Sequence, residues 1–185
     1  MRWNDYGEIE MRYRRADVDG GTYFFTVNLA ERKRTLLIDE IDKLKSTIAK
    51  VKKDHPFKID ACVVMPDHLH AVWTLPKRDN DFATRWMLIK AGFSRQIKKG
   101  ERINASRKSK GERGIWQRRY WEHLIKNEKD YERHVDYIHY NPVKHGFVNN
   151  VIDWPYSTFH RYVDKGIYLH DWAGIELEES TGFGE

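Results

Sequence analysis

Segments rich in β-branched and aromatic residues alternate with amphipathic helical ones in the order strand, helix, strand, strand, helix, strand. That order predicts an α+β protein built on one antiparallel sheet with helices on one face, the ferredoxin-like arrangement also seen in RRM domains. Two further observations support it. A Met65-Pro66-Asp67 connection joins two strand-like runs tightly enough for a hairpin, and each helical segment carries a single apolar stripe.

The first strand is read at Thr22 to Leu29 (TYFFTVNL), opened by Gly20-Gly21. Asp39 to Lys53 predicts a helix, because Ile38, Ile41, Leu44, Ile48 and Val51 recur at helical spacing on one face. After His55-Pro56, Lys58 to Val64 reads as the second strand and His68 to Leu75 as the third. Phe82 to Lys98 predicts the second helix, with Trp86, Ile89, Phe93 and Ile97 inward. Residues 100–114 are polar and basic with almost no apolar anchor, which predicts a mobile loop. Arg119 to Ile125 completes the sheet as a fourth strand, and Glu128 to His139 predicts a further helix whose apolar side holds Tyr131, Val135 and Ile138. Asn141 precedes Pro142, and a residue before proline is pushed out of helical geometry, so Asn141 is expected at the helix end. The C-terminal tail, 164–185, turns acidic, and its part from Asp171 to Glu185 is expected to hold little structure unless it packs over a basic groove.

A chain of 185 residues suits one domain with a real core. No apolar run approaches a membrane span and no secretory leader pattern opens the sequence, so a cytoplasmic, nucleoid-associated protein is expected, as a monomer. The single cysteine, Cys62, sits in an apolar run and reads as a buried free thiol. A net charge of +5 permits a polyanionic partner. The distribution points further in that direction: Arg12, Arg14 and Arg15 cluster near the start, while Arg118, Arg119, Lys144 and His145 flank the residues of chemical interest. Trp116, Tyr120 and Trp121 are interleaved with basic residues, as a base-stacking groove requires. A charged solvated face over core aromatics accounts for the same pattern.

The chemistry concentrates in VVMPDHLHAVWTL and HVDYIHYNPVKHG. Residues two apart on a strand share a face, so His68 and His70 project together and suit a divalent metal. Residues four apart on a helix are neighbours, so Tyr137 and Asn141 offer a phenol and an amide oxygen to one side. An amide ligand with room for water and phosphate favours Mg or Mn over Zn. Asp67 is the only carboxylate beside the histidines and reads first as a turn residue. Tyr131 and Tyr140 are rival nucleophiles, but neither is followed four residues later by a metal ligand. Hydrogen-bonded sheet histidines remain the alternative for His68 and His70 taken alone.

GGTYFFTVNL, VVMPDHLHAVWTLP, GIWQRRYWEHLI, DYIHYNPVKHGFV and DWPYSTFHRY stand together in one order and spacing. In this the chain resembles the REP-associated tyrosine transposases, a branch of the single-tyrosine HUH endonucleases, over residues 12–163. The resemblance implies the HUH nuclease fold, with metal ligands at His68, His70 and Asn141 and the nucleophile at Tyr137. It implies cleavage and rejoining of single-stranded hairpin DNA of REP type through a 5′-phosphotyrosine, in a bacterial host. Arg12, Arg14, Arg15, Arg118, Arg119, Trp116 and Lys144 are the expected DNA contacts, from charge and placement. A non-catalytic single-stranded nucleic-acid-binding module and a metal-dependent phosphohydrolase are the rival readings.

Overall fold

The computed structural model describes residues 18–174. Its elements run β1 (Thr22–Asn28), α1 (Leu36–Asp39), α2 (Ile41–Asp54), β2 (Lys58–Val64), β3 (His68–Thr74), α3 (Phe82–Gln96), α4 (Ala105–Lys108), β4 (Trp121–Leu124), α5 (Glu128–Lys144), a 3-10 turn (Val151–Asp153) and α6 (Phe159–Asp164). The four strands form one sheet in the order β2-β3-β1-β4, antiparallel at every pairing, which is the ferredoxin-like topology.

Strand alternation splits the core in two. Tyr23, Phe25, Val27, Leu69, Ala71 and Trp73 point to one face, where they meet Leu44 and Val51 of α2 and Phe82, Trp86 and Phe93 of α3. Trp86 stacks on Trp73 with ring centroids 4.1 Å apart. Phe24, Ala61, Val63 and Val72 point to the other face, against Val135, Tyr137 and Ile138 of α5. The helices α2 and α3 thus share one face as the sequence predicts, and α5, which follows β4, covers the opposite one.

Helix boundaries depart from expectation in an informative place. α5 runs through Pro142 to Lys144, so Asn141 lies inside the helix rather than at its end. The proline falls within the last turn, and the segment is closed beyond it by hydrogen bonds that the His145 N–H donates to the Asn141 carbonyl (3.0 Å) and the Phe147 N–H to the Pro142 carbonyl (2.9 Å). Asn127 caps the other end, its side chain accepting from the Asp130 amide at 2.9 Å.

The polar segment 100–114, expected to be mobile for want of apolar anchors, is instead tied by charge. Arg113 pairs with Glu101, whose side chain is only 2% exposed, and donates to the carbonyls of Ser94 (2.7 Å) and Ile97 (3.1 Å). That pairing holds the Glu101 carboxyl down at about 2. The segment 156–158 covers the outer edge of β2, with Val64 donating to the Tyr156 carbonyl and Thr158 to the Cys62 carbonyl, each at 2.9 Å. Burial pushes the Cys62 thiol up to about 12, in keeping with an unreactive group. Tyr168 stacks on Phe159, and Trp172, at the start of the tail expected to hold little structure, packs against Tyr168 with ring centroids 4.6 Å apart. Arg12, Arg14, Arg15 and the acidic residues from Glu176 onward lie outside the described residues.

Candidate active site

The register of the sheet brings the two histidines to the face that α5 covers. His70 pairs with Thr26 and His68 with Asn28 across β1 and β3. The rings of His68 and His70 are 4.9 Å apart and nearly perpendicular, and the side chains are buried at 2% and 0% exposure. Each ring is oriented by a neighbour through Nδ1. The Asp67 carboxylate lies 2.7 Å from His68 Nδ1, and Thr26 Oγ1 lies 2.8 Å from His70 Nδ1. With Asp67 accepting the Nδ1 proton, His68 Nε2 keeps its lone pair, and that atom is buried with no hydrogen-bond partner among the described residues. A buried imidazole lone pair with no hydrogen-bond partner among the described residues fits a metal ion.

Asp67 is therefore more than the turn residue the sequence suggests. It is held in place by Arg32, which also donates to Asn28 Oδ1 at 2.9 Å. Burial pushes the Asp67 carboxyl up, but hydrogen bonds from His68 and Arg32 outweigh it, and the group stays below the usual carboxylate range. Burial lowers His68 below its ordinary value, opposed by Asp67, so the imidazole is neutral at physiological pH as ligation requires.

One stripe of α5 faces this pair. His134, Tyr137, Asn141 and His145 follow one another at helical spacing. The Tyr137 ring lies 5.2 Å from His70, and the His145 ring 5.5 Å from His68. Asn141, fully buried, sits on the helix between those two contacts. The structure thus brings His68, His70 and Tyr137 together, with Asn141 one turn beyond the tyrosine on the same stripe. Lys144, expected to contact DNA, lies instead against the phenol, with Nζ 3.4 Å from Tyr137 Oη and 4.9 Å from the ring centroid. The seven-residue spacing, two helical turns, is the signal in the sequence that places it there.

The other expected contacts scatter. Trp116 is buried at 5% exposure against Phe93, so it has no face to offer a base; an aromatic in a basic stretch was in this case core. Tyr120 packs against Phe25 and Trp86. Trp121, at 39% exposure, pairs with Thr26 and so stands on the histidine face. Arg118 pairs with Glu112 at 2.8 Å in a groove beside α3, on the far side of the sheet from the histidines. Arg119 is exposed. His139, adjacent to the stripe, is buried and faces Thr158 Oγ1 at 3.0 Å, and burial pushes it down to about 3. Tyr131 is raised above its ordinary value by burial and by the Tyr162 hydroxyl, which makes it a poorer nucleophile.

A ferredoxin-like sheet bearing two adjacent histidines opposite a helical tyrosine is the layout of the HUH nuclease class that the sequence resembles. Comparison with known proteins agrees. The family description "Transposase IS200 like" matches residues 20–141. A REP-associated tyrosine transposase of Escherichia coli K12 is 50% identical over 170 residues, covering 92% of this chain and 95% of its own. A Haemophilus influenzae protein provisionally given the same name is 46% identical over 163 residues, covering 88% and 93%. The solved structure of a REP-associated tyrosine transposase bound to a REP hairpin superposes with a TM-score of 0.80 at 50% identity, covering 94% of this chain and 96% of that one. The chain belongs to the IS200-like transposases and, within them, to the REP-associated tyrosine transposases. The family uses a divalent metal. Among the described residues, no helix is long and apolar enough to cross a membrane.

Proposed function

We propose that this protein, acting as one HUH domain, cleaves and rejoins single-stranded REP-type hairpin DNA, with Tyr137 as the nucleophile. His68, His70 and Asn141 would hold Mg or Mn. The observation that carries the reading is the buried Nε2 of His68, without a hydrogen-bond partner among the described residues, on the same face as the Tyr137 phenol. Kinship with a protein solved on a REP hairpin supports the substrate class.

The bound ion would polarise the scissile phosphate and offset charge in the transition state. Asp67, which can only accept, holds His68 in the ligating tautomer, and Thr26 Oγ1 orients the His70 ring. An ordinary phenol ionises near pH ~10, and the Lys144 ammonium beside Oη stabilises the negative charge that develops as the proton leaves. Oη then bonds to phosphorus while the bond from phosphorus to the 3′ oxygen breaks, leaving a 5′-phosphotyrosine and a free 3′-hydroxyl. Attack by another 3′-hydroxyl reverses the step and releases the tyrosine, so bond energy is conserved through strand transfer. Trp121, exposed on the same sheet face, is placed to stack a base.

The test is incubation with a labelled single-stranded REP-type hairpin and Mg or Mn, read on a denaturing gel. A metal-dependent protein-DNA adduct is expected, absent in Tyr137→Phe, which retains hairpin binding. An adduct that survives in Tyr137→Phe, or cleavage that never passes through an adduct, overturns the assignment.

A further inference from the structure

The histidine face carries a second cluster of metal-binding groups that the proposed chemistry does not use. His123 stands on β4 opposite Phe24 of β1, while Asp130 and His134 are one turn apart at the start of α5. Each offers one ligand atom, and these atoms all lie within 4.8 Å of one another. His123 Nε2 is 2.9 Å from Asp130 Oδ2, and His134 Nδ1 is 3.2 Å from Asp130 Oδ1. The rings of His123 and His134 stack at 4.7 Å and 14°. The side chains are 28%, 19% and 7% exposed respectively, so the site is walled on the protein side and open to solvent on the other.

We propose that His123, Asp130 and His134 form a second divalent-metal site, selective for zinc-like transition metals, that clamps β4 to α5. Ligand atoms about 2.0–2.2 Å from a zinc-like ion lie about 3–3.5 Å from each other, so small side-chain rotations convert the existing cluster into a coordination set. Without metal, the same contacts form a hydrogen-bonded clasp. Asp130 accepts from the Lys126 amide at 2.9 Å, and His134 Nδ1 faces the Asp130 carbonyl at 2.7 Å. Loading takes a nitrogen lone pair from each imidazole, which would put the His134 ring proton on Nε2 and replace the Nδ1 contact with the Asp130 carbonyl. Two imidazoles and one carboxylate favour Zn, Co or Ni, whereas Mg prefers oxygen ligands, so Mg or Mn at the first site leaves this one unfilled.

Position gives the clamp a consequence. The Phe24 ring lies 4.8 Å from His134 and 5.6 Å from His70, so one aromatic ring separates the two sites. His134 precedes Tyr137 by less than one turn of α5. Among the described residues β4 is an edge strand paired only with β1, and an ion shared with α5 ties that edge to the helix carrying the tyrosine. The inference does not depend on the phosphotyrosine reading, and its test reads binding rather than cleavage.

Tag-free full-length protein would be titrated with Co by equilibrium dialysis and followed by visible absorption. The wild type is expected to take up one equivalent at this site, beyond any held by the first. That equivalent is lost in His123→Gln, whose partly exposed side chain tolerates replacement, and Asp130→Asn weakens the same equivalent at least about tenfold. Zinc is expected to raise the unfolding temperature of the wild type more than that of His123→Gln. Equal Co uptake by the wild type and both variants overturns the proposal, whatever the first site binds.

Discussion

Replacing Asp67 tests the metal site without touching a proposed ligand. The carboxylate sits 2.7 Å from His68 Nδ1 with its side chain 14% exposed, so the contact is a charge-assisted hydrogen bond shielded from water. Hydrogen bonds to charged groups contribute about 1.5–3 kcal/mol and neutral ones about 0.5–1.5 kcal/mol. Asp67→Asn keeps an acceptor oxygen but loses the charge, a difference of about 1–1.5 kcal/mol, or roughly tenfold in metal affinity. Asp67→Ala removes the acceptor and frees the imidazole to turn, for which up to about a hundredfold is expected. The assay is single-turnover cleavage of a labelled hairpin across a range of Mn concentration. Half-saturation should move to higher Mn in the order wild type, Asn, Ala, while the rate at saturating Mn falls much less. A Mn dependence identical in all three proteins would show that Asp67 does not orient a ligand, and the reading of His68 would lose its structural support.

Lys144→Met keeps the alkyl stem over the Tyr137 ring and removes the ammonium 3.4 Å from Oη, so adduct formation should slow by about tenfold or more while hairpin affinity changes little. An unchanged rate would return Lys144 to the role of a DNA contact. Trp121→Ala should weaken hairpin binding by about 1–3 kcal/mol if a base stacks there, measured by fluorescence anisotropy. His139 is held neutral by burial, at about 3 against an ordinary 6.5, so the unfolded chain binds the extra proton between those limits. Stability should therefore be fully present above pH 6.5 and fall with acidification by about 1.4 kcal/mol per pH unit. Urea melts of His139→Gln should show a flatter acid arm than the wild type over that range.

Hydrophobic period and turn chemistry were enough to read the four strands and the helices α2 and α3, because those signals are local: Tyr23, Phe25 and Val27 alternate along one strand, and Trp86, Ile89 and Phe93 recur along one helix. The same locality explains why His68 with His70, and Tyr137 with Asn141, are visible as pairs. Nothing local says that α5 crosses the histidine face, since that follows from which side of the sheet the chain takes after β4. The extension of α5 through Pro142 was likewise hidden, because the pre-proline bias is a local preference and tertiary packing of Asn141 and Pro142 in the core outweighs it. Trp116 shows the converse error: neighbouring charges suggested a surface ring, while the long-range bridge from Leu29 to Trp116 draws it inward.

What the sequence by itself determined is the inventory and the periodicity: which residues can ligate, which can attack, and which faces are apolar. The tertiary structure alone decided the partnerships, because Thr26 on His70, Lys144 on Tyr137 and His123 on Asp130 depend on strand register, on helix phase and on where β4 and α5 meet. Distances across a sheet or between layers are set by packing of the whole core, and no spacing along the chain encodes them.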